Sequence, residues 1–65
     1  MKANLGKKIQ KLRKTQGYTQ EKLAEMLGIS RAHMGHVEQG IKTPSIKLLG
    51  KIAKALKVKV SALFP

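Results

Sequence analysis

Apolar residues recur along the first part of the chain at the spacing of an amphipathic helix. Three of them fall at positions i, i+4 and i+7, namely Leu5, Ile9 and Leu12. Lysines occupy the other faces, so one side of the helix can pack inward while the rest meets solvent. Gly17 follows this segment, and glycine readily adopts the left-handed conformation that ends many helices. The pattern therefore predicts a first helix that ends at Gly17.

Two shorter helical segments follow, each preceded by a residue that can cap a helix. The side chain of Thr19 can accept a hydrogen bond from a free backbone N–H group at the start of a second helix. This helix is predicted to end at Gly28. Ser30 can do the same for a third helix over about 30–39, with Gly40 at its end. Both segments carry apolar residues at helical spacing, so we expect both to contribute to the core.

A fourth helix is predicted after the turn at Pro44-Ser45. One of its faces is apolar and is expected to be buried: Ile46, Leu49, Ile52, Ala53 and Leu56. The opposite face carries three lysines at helical spacing: Lys47, Lys51 and Lys54. A solvated helix surface explains this stripe, and we assign no binding role to it.

The end of the fourth helix and a final turn complete the predicted fold. Lys57 stands where the helix should end, and a left-handed residue other than glycine costs on the order of 1 kcal/mol. A last helical turn is predicted over Val60–Phe64. At 65 residues the chain has room for one domain. We therefore expect a single all-α domain over residues 1–65, built from five short helices.

The charge of the chain changes what this small helical domain is expected to bind. Fourteen Lys and Arg residues stand against three Glu residues and no Asp, which gives a net charge of +11. This excess of positive charge destabilises the folded chain, because the charges repel one another. It favours binding to an anionic partner, either nucleic acid or a membrane surface. No run approaches the roughly 20 apolar residues of a membrane span, so we expect an intracellular soluble protein.

The chain has few of the residues that catalysis or metal binding requires. The three glutamates and no aspartate offer no convergent acid–base set, so we predict that the protein is not an enzyme. His33 and His36 lie three residues apart, as two metal ligands on one helix face can. A zinc site needs three or four ligands, and the chain has no Cys or Asp to complete one. We therefore predict neither a metal nor a cofactor.

Residues 20–39 read as two helices that cross over a tight turn. Such a crossing needs a small residue where the backbones approach and a residue that tolerates positive φ at the turn; Ala24 and Gly28 meet these needs. It also needs apolar residues that fix the angle: Leu23, Leu27, Ile29, Met34 and Val37. The segments GYTQEKLAEMLGIS, EQG and LLGKIAKAL resemble the helix-turn-helix domains of the lambda/Cro repressor type, the XRE family.

The resemblance extends from about Leu5 to Phe64 and implies a compact lambda repressor-like DNA-binding domain with a central helix-turn-helix. In that class the second helix of the motif enters the major groove of DNA and the first crosses the backbone. Residues 30–39 would then form the recognition helix. Because Met34 and Val37 mark its buried side, the helical period turns Ala32, Gly35 and His36 outward, with Arg31 and His33 beside them.

Each outward residue suits a particular contact with DNA. Arg31 can bond bidentately to guanine, although the same forked donors also suit a phosphate. Ala32 offers a methyl group to thymine or simply makes room. His36 is the second candidate for reading a base, whereas His33 is expected to meet backbone phosphate. The missing side chain at Gly35 would let the helix approach the groove closely.

Further assignments follow only from the resemblance. Gln20 corresponds to a glutamine that holds a DNA phosphate at the start of the first motif helix. Lys42 and Thr43 correspond to a loop that contacts the DNA backbone. Arg13 and Glu38 correspond to an arginine and a glutamate that pair beneath the DNA surface. The full candidate set for DNA contact is Thr19, Gln20, Ser30, Arg31, Ala32, His33, Gly35, His36, Lys42 and Thr43.

The predicted function is a sequence-specific regulator of transcription that binds double-stranded DNA. One recognition helix contacts few base pairs, so we expect a repressor that binds a pseudo-palindromic operator as a homodimer, in the cytoplasm of a prokaryotic cell or encoded by a phage. The last turn over Val60–Phe64 could supply the dimer contact or could only cover the core. Two alternatives remain at this stage: an antitoxin that binds a toxin protein and its own operator, and a cationic peptide that binds membrane surfaces.

Overall fold

Four α-helices and one short 3-10 turn make up the part of the chain that the computed structural model describes, residues 2–64. The elements are α1 (Lys2–Thr15), α2 (Gln20–Leu27), α3 (Arg31–Gln39), α4 (Ile46–Ala55) and the 3-10 turn (Val60–Leu63). The prediction of an all-helical domain is confirmed. The prediction of five helices is wrong, because the last element is a single 3-10 turn.

The 3-10 turn is short for a reason that its sequence explains. The N–H of Ala62 bonds to the carbonyl of Lys59 at 2.9 Å, the i to i+3 pattern of a tight turn. Phe64 already has an extended backbone, with φ −98° and ψ 145°. Phe64 precedes a proline in the sequence, and a following proline disfavours the α conformation. The chain therefore leaves the helical conformation after one turn.

The helix boundaries follow the predicted caps. The side chains of Thr19, Ser30 and Ser45 each accept the backbone N–H three residues later, at 3.0 Å in every case. These bonds satisfy one of the N–H groups that lack a partner at the start of each helix. Ser30 is thus the cap of α3 and Arg31 is its first helical residue.

The core is aliphatic and draws on every element of the fold. Eight side chains are almost completely enclosed: Ile9, Leu23, Leu27, Met34, Val37, Ile52, Leu56 and Leu63. One predicted core residue lies elsewhere, since Ile46 is 90% exposed. Ile46 is the first residue of α4 and projects beyond the edge of the core, whereas Leu48 and Leu49 in the same turn are buried.

Helix α1 lies unusually close to the end of α3, and Gly6 is the residue that allows it. A Cβ atom built on Gly6 would lie 2.5 Å from the carbonyl oxygen of Val37 and closer still to that of Glu38. Carbon and oxygen atoms do not approach this closely without a bond. The two helices can therefore keep this distance only with glycine at position 6.

Lys57 has the left-handed conformation that its position predicted, with φ 60°. Its N–H bonds to the carbonyl of Lys54 at 3.1 Å, and the N–H of Val58 bonds to that of Ala53 at 3.0 Å. This pair of bonds is the usual helix ending in which glycine is favoured. Helix α4 thus ends at a lysine whose left-handed backbone conformation is energetically unfavourable.

We expect Lys57→Gly to raise the free energy of unfolding by about 1 kcal/mol, because glycine adopts positive φ without a clash at Cβ. Chemical denaturation followed by circular dichroism measures the change. Lys59→Gly is the matched control, since Lys59 is also an exposed lysine but has φ −74°. That control should gain nothing. Equal stability of Lys57→Gly and the unmodified protein would contradict the strain at Lys57.

Candidate nucleic-acid interface

Helices α2 and α3 are joined by three residues, and the turn between them is tight. Gly28 has φ 73°, and the N–H of Ile29 bonds back to the carbonyl of Ala24 at 3.0 Å. Ala24 is buried, so its small side chain lies inside the crossing of the two helices. Ile29 packs against the core from the turn itself. The motif is therefore built as an α2–turn–α3 unit with a fixed crossing.

The outward surface of α3 is formed by its four exposed residues, Arg31, Ala32, His36 and Gln39. Met34 and Val37 are buried on the other side of the same helix. These four are a positively charged, a small, an imidazole and an amide side chain, and none of them carries a carboxylate. We call this surface the α3 face.

Gly35 and His33 lie off this surface, each beside another element. A Cβ atom built on Gly35 would lie 3.8 Å from Oε1 of Gln20, so the start of α2 covers this position in part. His33 is partly buried and lines a pocket that extends to Leu48 of α4. The helical period predicted Gly35 on the outward face and His33 beside it. In the structure both lie at the margins of the α3 face, each next to another helix.

A buried ion pair fixes the C-terminal part of α3 to α1. Nε of Arg13 donates to Oε2 of Glu38 at 2.7 Å, and Nη2 donates to Oε1 at 3.1 Å. Only 8% of the Arg13 side chain and 1% of the Glu38 side chain are exposed. Such a bidentate pair is strong and directional. The contact that the resemblance implied between these residues is present in the structure.

Two further bonds extend this pair to the rest of the motif. Nη1 of Arg13 donates to the carbonyl of Tyr18 at 2.7 Å, which ties down the segment before α2. Nε2 of Gln20 donates to Oε1 of Glu38 at 3.0 Å, so the first residue of α2 is held against α3. Gln20 therefore has a structural contact that the sequence did not indicate. One N–H of its amide is left for another partner.

The hydroxyl groups at the starts of α2 and α3 are exposed and oriented. Each oxygen, on Thr19 and on Ser30, already accepts a backbone N–H, so its own O–H is the group left to donate. Lys42 and Thr43 are exposed in the loop after α3. The N–H of Lys42 bonds to the carbonyl of His36 at 3.2 Å, which keeps this loop beside the end of α3.

The described part of the chain contains neither a cluster of metal-ligating side chains nor a helix that could cross a membrane. Residues 2–64 contain no group of three or more His, Cys, Asp or Glu side chains placed to hold a metal ion. Within the same range, no helix is long and apolar enough to cross a membrane.

Comparison with known proteins gives the family. The sequence profile of HTH_3, described as Helix-turn-helix, matches residues 9–63. The chain belongs to this helix-turn-helix family. The match spans α2 and α3 and the part of α1 that carries Arg13, so it includes the Arg13–Glu38 pair and the contact of Gln20 with Glu38.

Two known proteins are similar to this chain along most of their own length. YazB from Bacillus subtilis, an uncharacterized HTH-type transcriptional regulator, is 38% identical over 60 residues, 92% of this chain and 87% of YazB. The restriction-modification controller protein C.AhdI from Aeromonas hydrophila has a crystal structure that superposes with a TM-score of 0.91. It is 34% identical, with 95% of this chain and 94% of C.AhdI covered.

A third relative has been crystallised with DNA. SinR, an HTH-type transcriptional regulator from Bacillus subtilis, is 35% identical over 60 residues, which cover 91% of this chain and 54% of SinR. The crystal structure of SinR, described as the master regulator for biofilm formation, in complex with DNA superposes with a TM-score of 0.84. It covers 91% of this chain and 95% of the crystallised SinR chain.

Besides the contact of Gln20 with Glu38, two structural contacts had no counterpart in the sequence interpretation. Gly6 was not distinguished from other helical glycines, since its need for space depends on α3. Gln16 donates from Nε2 to the carbonyl of Leu56 at 2.9 Å, which joins the end of α1 to the end of α4. Its position at the end of a helix was the only signal, and many exposed glutamines share it.

Proposed function

We propose that this protein is a transcriptional regulator that binds double-stranded DNA through the α3 face. The observation that carries this proposal is the two-sided build of α3. Met34, Val37 and Glu38 lock one side into the fold, and the other side presents an exposed, non-acidic surface on a chain of net charge +11. The DNA complex of SinR supports the same use of the fold.

The residues of the α3 face would read base edges in the major groove. Arg31, at the first position of the helix, has a forked donor that matches guanine O6 and N7. Ala32 brings a methyl group within reach of thymine or leaves space for a base. His36 lies one turn further along and can bond to a base edge through either ring nitrogen. Gly35, at the margin, keeps the approach of α3 unobstructed.

The residues around the α3 face would contact phosphates and set the register. The free N–H of Gln20, the hydroxyl groups of Thr19 and Ser30, and the start of α2 together form a donor cluster suited to an anionic oxygen. Lys42 and Thr43 would contact the backbone from the loop after α3. His33 would meet a phosphate at the other margin, toward α4.

We further propose that the protein acts as a homodimeric repressor by occluding a pseudo-palindromic operator in a prokaryotic cytoplasm. The last turn supports part of this proposal, because its residues divide into two groups. Leu63 is fully buried in the core, whereas Val60 and Phe64 are 43% and 44% exposed. The core thus uses only part of the turn, and the exposed apolar pair is available to a second copy.

Selection of bound sequences from random duplex DNA tests this function. We expect a palindromic consensus with half-site centres about 10 base pairs apart, or a multiple of that spacing. Arg31→Ala should relax the preference at one position per half-site, since a bidentate contact gives about 1–3 kcal/mol of discrimination. Salt-sensitive binding without any consensus would reduce the protein to a nonspecific binder.

Two glycine-to-glutamate substitutions test whether DNA binding depends on α3 in particular or only on the net charge of the protein. Gly35→Glu should weaken operator binding by about 100-fold or more, because a carboxylate there faces the phosphates at close range. Gly50→Glu is the matched control, since Gly50 is helical and exposed on α4 with nothing within 4 Å of its added Cβ. Both variants should remain folded by circular dichroism. Equal losses of affinity in the two variants would contradict the assignment.

A further inference from the structure

The stripe of lysines on α4 borders a groove that the proposed DNA contacts touch only at His33. Two adjoining pockets of about 250 and 320 Å3 lie between α4 and the α2–turn segment, and they share Leu27 and Lys51. The first is also lined by Ile29, His33 and Leu48, and the second by Met26 and Ala55. We call the two together the α2–α4 groove.

The groove has an apolar side on α2 and a cationic side along α4. Met26, which is 41% exposed, and the partly buried Ala55 supply its accessible apolar surface, whereas Leu27 and Leu48 beneath them are only 2% and 8% exposed. Lys47, Lys51 and Lys54 line the side along α4. A methionine side chain is flexible and adapts to different apolar partners. Such a surface suits a partner that is itself apolar on one side.

The lysines of the groove have no anionic partner within the described residues. The ion pairs of residues 2–64 are Arg13 with Glu38 and Lys22 with Glu25, and neither includes a lysine of α4. The third glutamate, Glu21, does not line either pocket. The groove therefore combines three uncompensated positive charges with an accessible apolar patch at Met26 and Ala55. A DNA backbone would meet the charges but would leave this apolar patch uncovered.

We propose that the α2–α4 groove is a docking site for an acidic amphipathic helix of a partner protein. The residues that line it on α4, from Lys47 to Ala55, span about 12 Å at 1.5 Å per residue, which is about two turns of a docked helix. The two pockets would take apolar side chains one turn apart, the spacing of anchors on one helix face. Glu or Asp residues flanking those anchors would pair with Lys47, Lys51 and Lys54.

A synthetic peptide of about 15 residues tests the groove directly, since that length can hold a helix. Leucines at i and i+4 would form its apolar face, with glutamates on both flanks. A second peptide of the same composition, with the leucines moved to different faces, is the control for charge alone. We expect the first peptide to bind saturably, with amide NMR shifts concentrated at Leu27, Lys51 and Ala55, and at least about tenfold more tightly than the second.

Charge reversal in the protein locates the contact. Lys51→Glu should weaken binding of the first peptide by about tenfold or more, because an attraction becomes a repulsion at the centre of the groove. Lys8→Glu on α1 is the matched control, also an exposed helical lysine, and should change binding by less than about threefold. Equal effects of the two reversals, or equal affinity of the two peptides, would overturn the proposal.

Binding of a DNA duplex of random sequence tests whether the lysines of the groove contact DNA instead of a partner protein. If Lys51 serves the peptide, Lys51→Glu and Lys8→Glu should weaken duplex binding to a similar extent, as two losses of general positive charge. A much larger loss for Lys51→Glu would mean that the groove borders DNA phosphates, which would overturn the proposal. Neither result depends on finding an operator, so this test stands apart from that of the proposed function.

Discussion

Replacing Glu38 with alanine is expected to lower the free energy of unfolding by about 3–5 kcal/mol. The substitution leaves the buried guanidinium of Arg13 without its carboxylate and removes the acceptor of the Gln20 amide. Folded domains have roughly 0.05–0.15 kcal/mol of stability per residue, so this loss would consume a large part of the total in a chain of 65 residues. Thermal and urea unfolding followed by circular dichroism measure it.

Glu25→Ala is the matched control for this prediction. It removes the same charge from an exposed position, where Glu25 lies 3.5 Å from Lys22 and 74% of its side chain is exposed. Exposed ion pairs of this kind contribute at most about 1 kcal/mol. If both variants unfold at the same temperature, the Arg13–Glu38 pair does not stabilise the fold. Replacing both Arg13 and Glu38 with apolar residues should restore part of the loss, because no buried charge is then left alone.

Gly6→Ala is expected to have the second large effect on stability. It should destabilise the protein, whereas the same substitution inside a helix is usually stabilising. Alanine would gain up to about 1 kcal/mol in helix propensity. The added Cβ, however, meets the backbone carbonyls of Val37 and Glu38, which cannot rotate away as a side chain can. Overpacking costs about 1–3 kcal/mol and often more against a rigid neighbour. We expect a net decrease in the free energy of unfolding of at least about 1 kcal/mol, measured by urea denaturation.

Gly50→Ala provides the comparison, since an added Cβ at Gly50 meets nothing within 4 Å. That variant should be stabilised by about 0.5–1 kcal/mol. Two identical substitutions in helices of one small domain are thus expected to move stability in opposite directions. A stabilised Gly6→Ala protein would show that α1 can shift away from α3 at little cost.

Local chemistry made the helix boundaries predictable from the sequence. Thr19, Ser30 and Ser45 cap their helices because a short side-chain oxygen reaches a nearby backbone N–H whatever the rest of the fold does. Lys57 was recognised as a strained position because counting along α4 places a chain reversal there. Each of these features depends on a few neighbouring residues, and the sequence contains all of them.

Features that depend on another element were harder to predict. Gly6 matters because of carbonyl groups more than 30 positions away, and no periodicity within α1 reveals them. The angle around α3 could not show that Gln20 partly covers Gly35 or that His33 and Leu48 line the same pocket. Ile46 follows the apolar spacing of α4 but lies beyond the edge of the core. The α2–α4 groove likewise exists only where two elements meet.

The division of α3 into a buried and an exposed side has a consequence for how such a protein can evolve. Arg31, Ala32 and His36 are exposed, so substitutions there should leave stability nearly constant. Under the proposed function the same substitutions should alter the preferred DNA sequence. The side that carries Met34, Val37 and Glu38 is under the opposite constraint. Under the proposed function, a lineage would acquire new target genes by changing a few exposed positions on one nine-residue helix, while the fold stays the same.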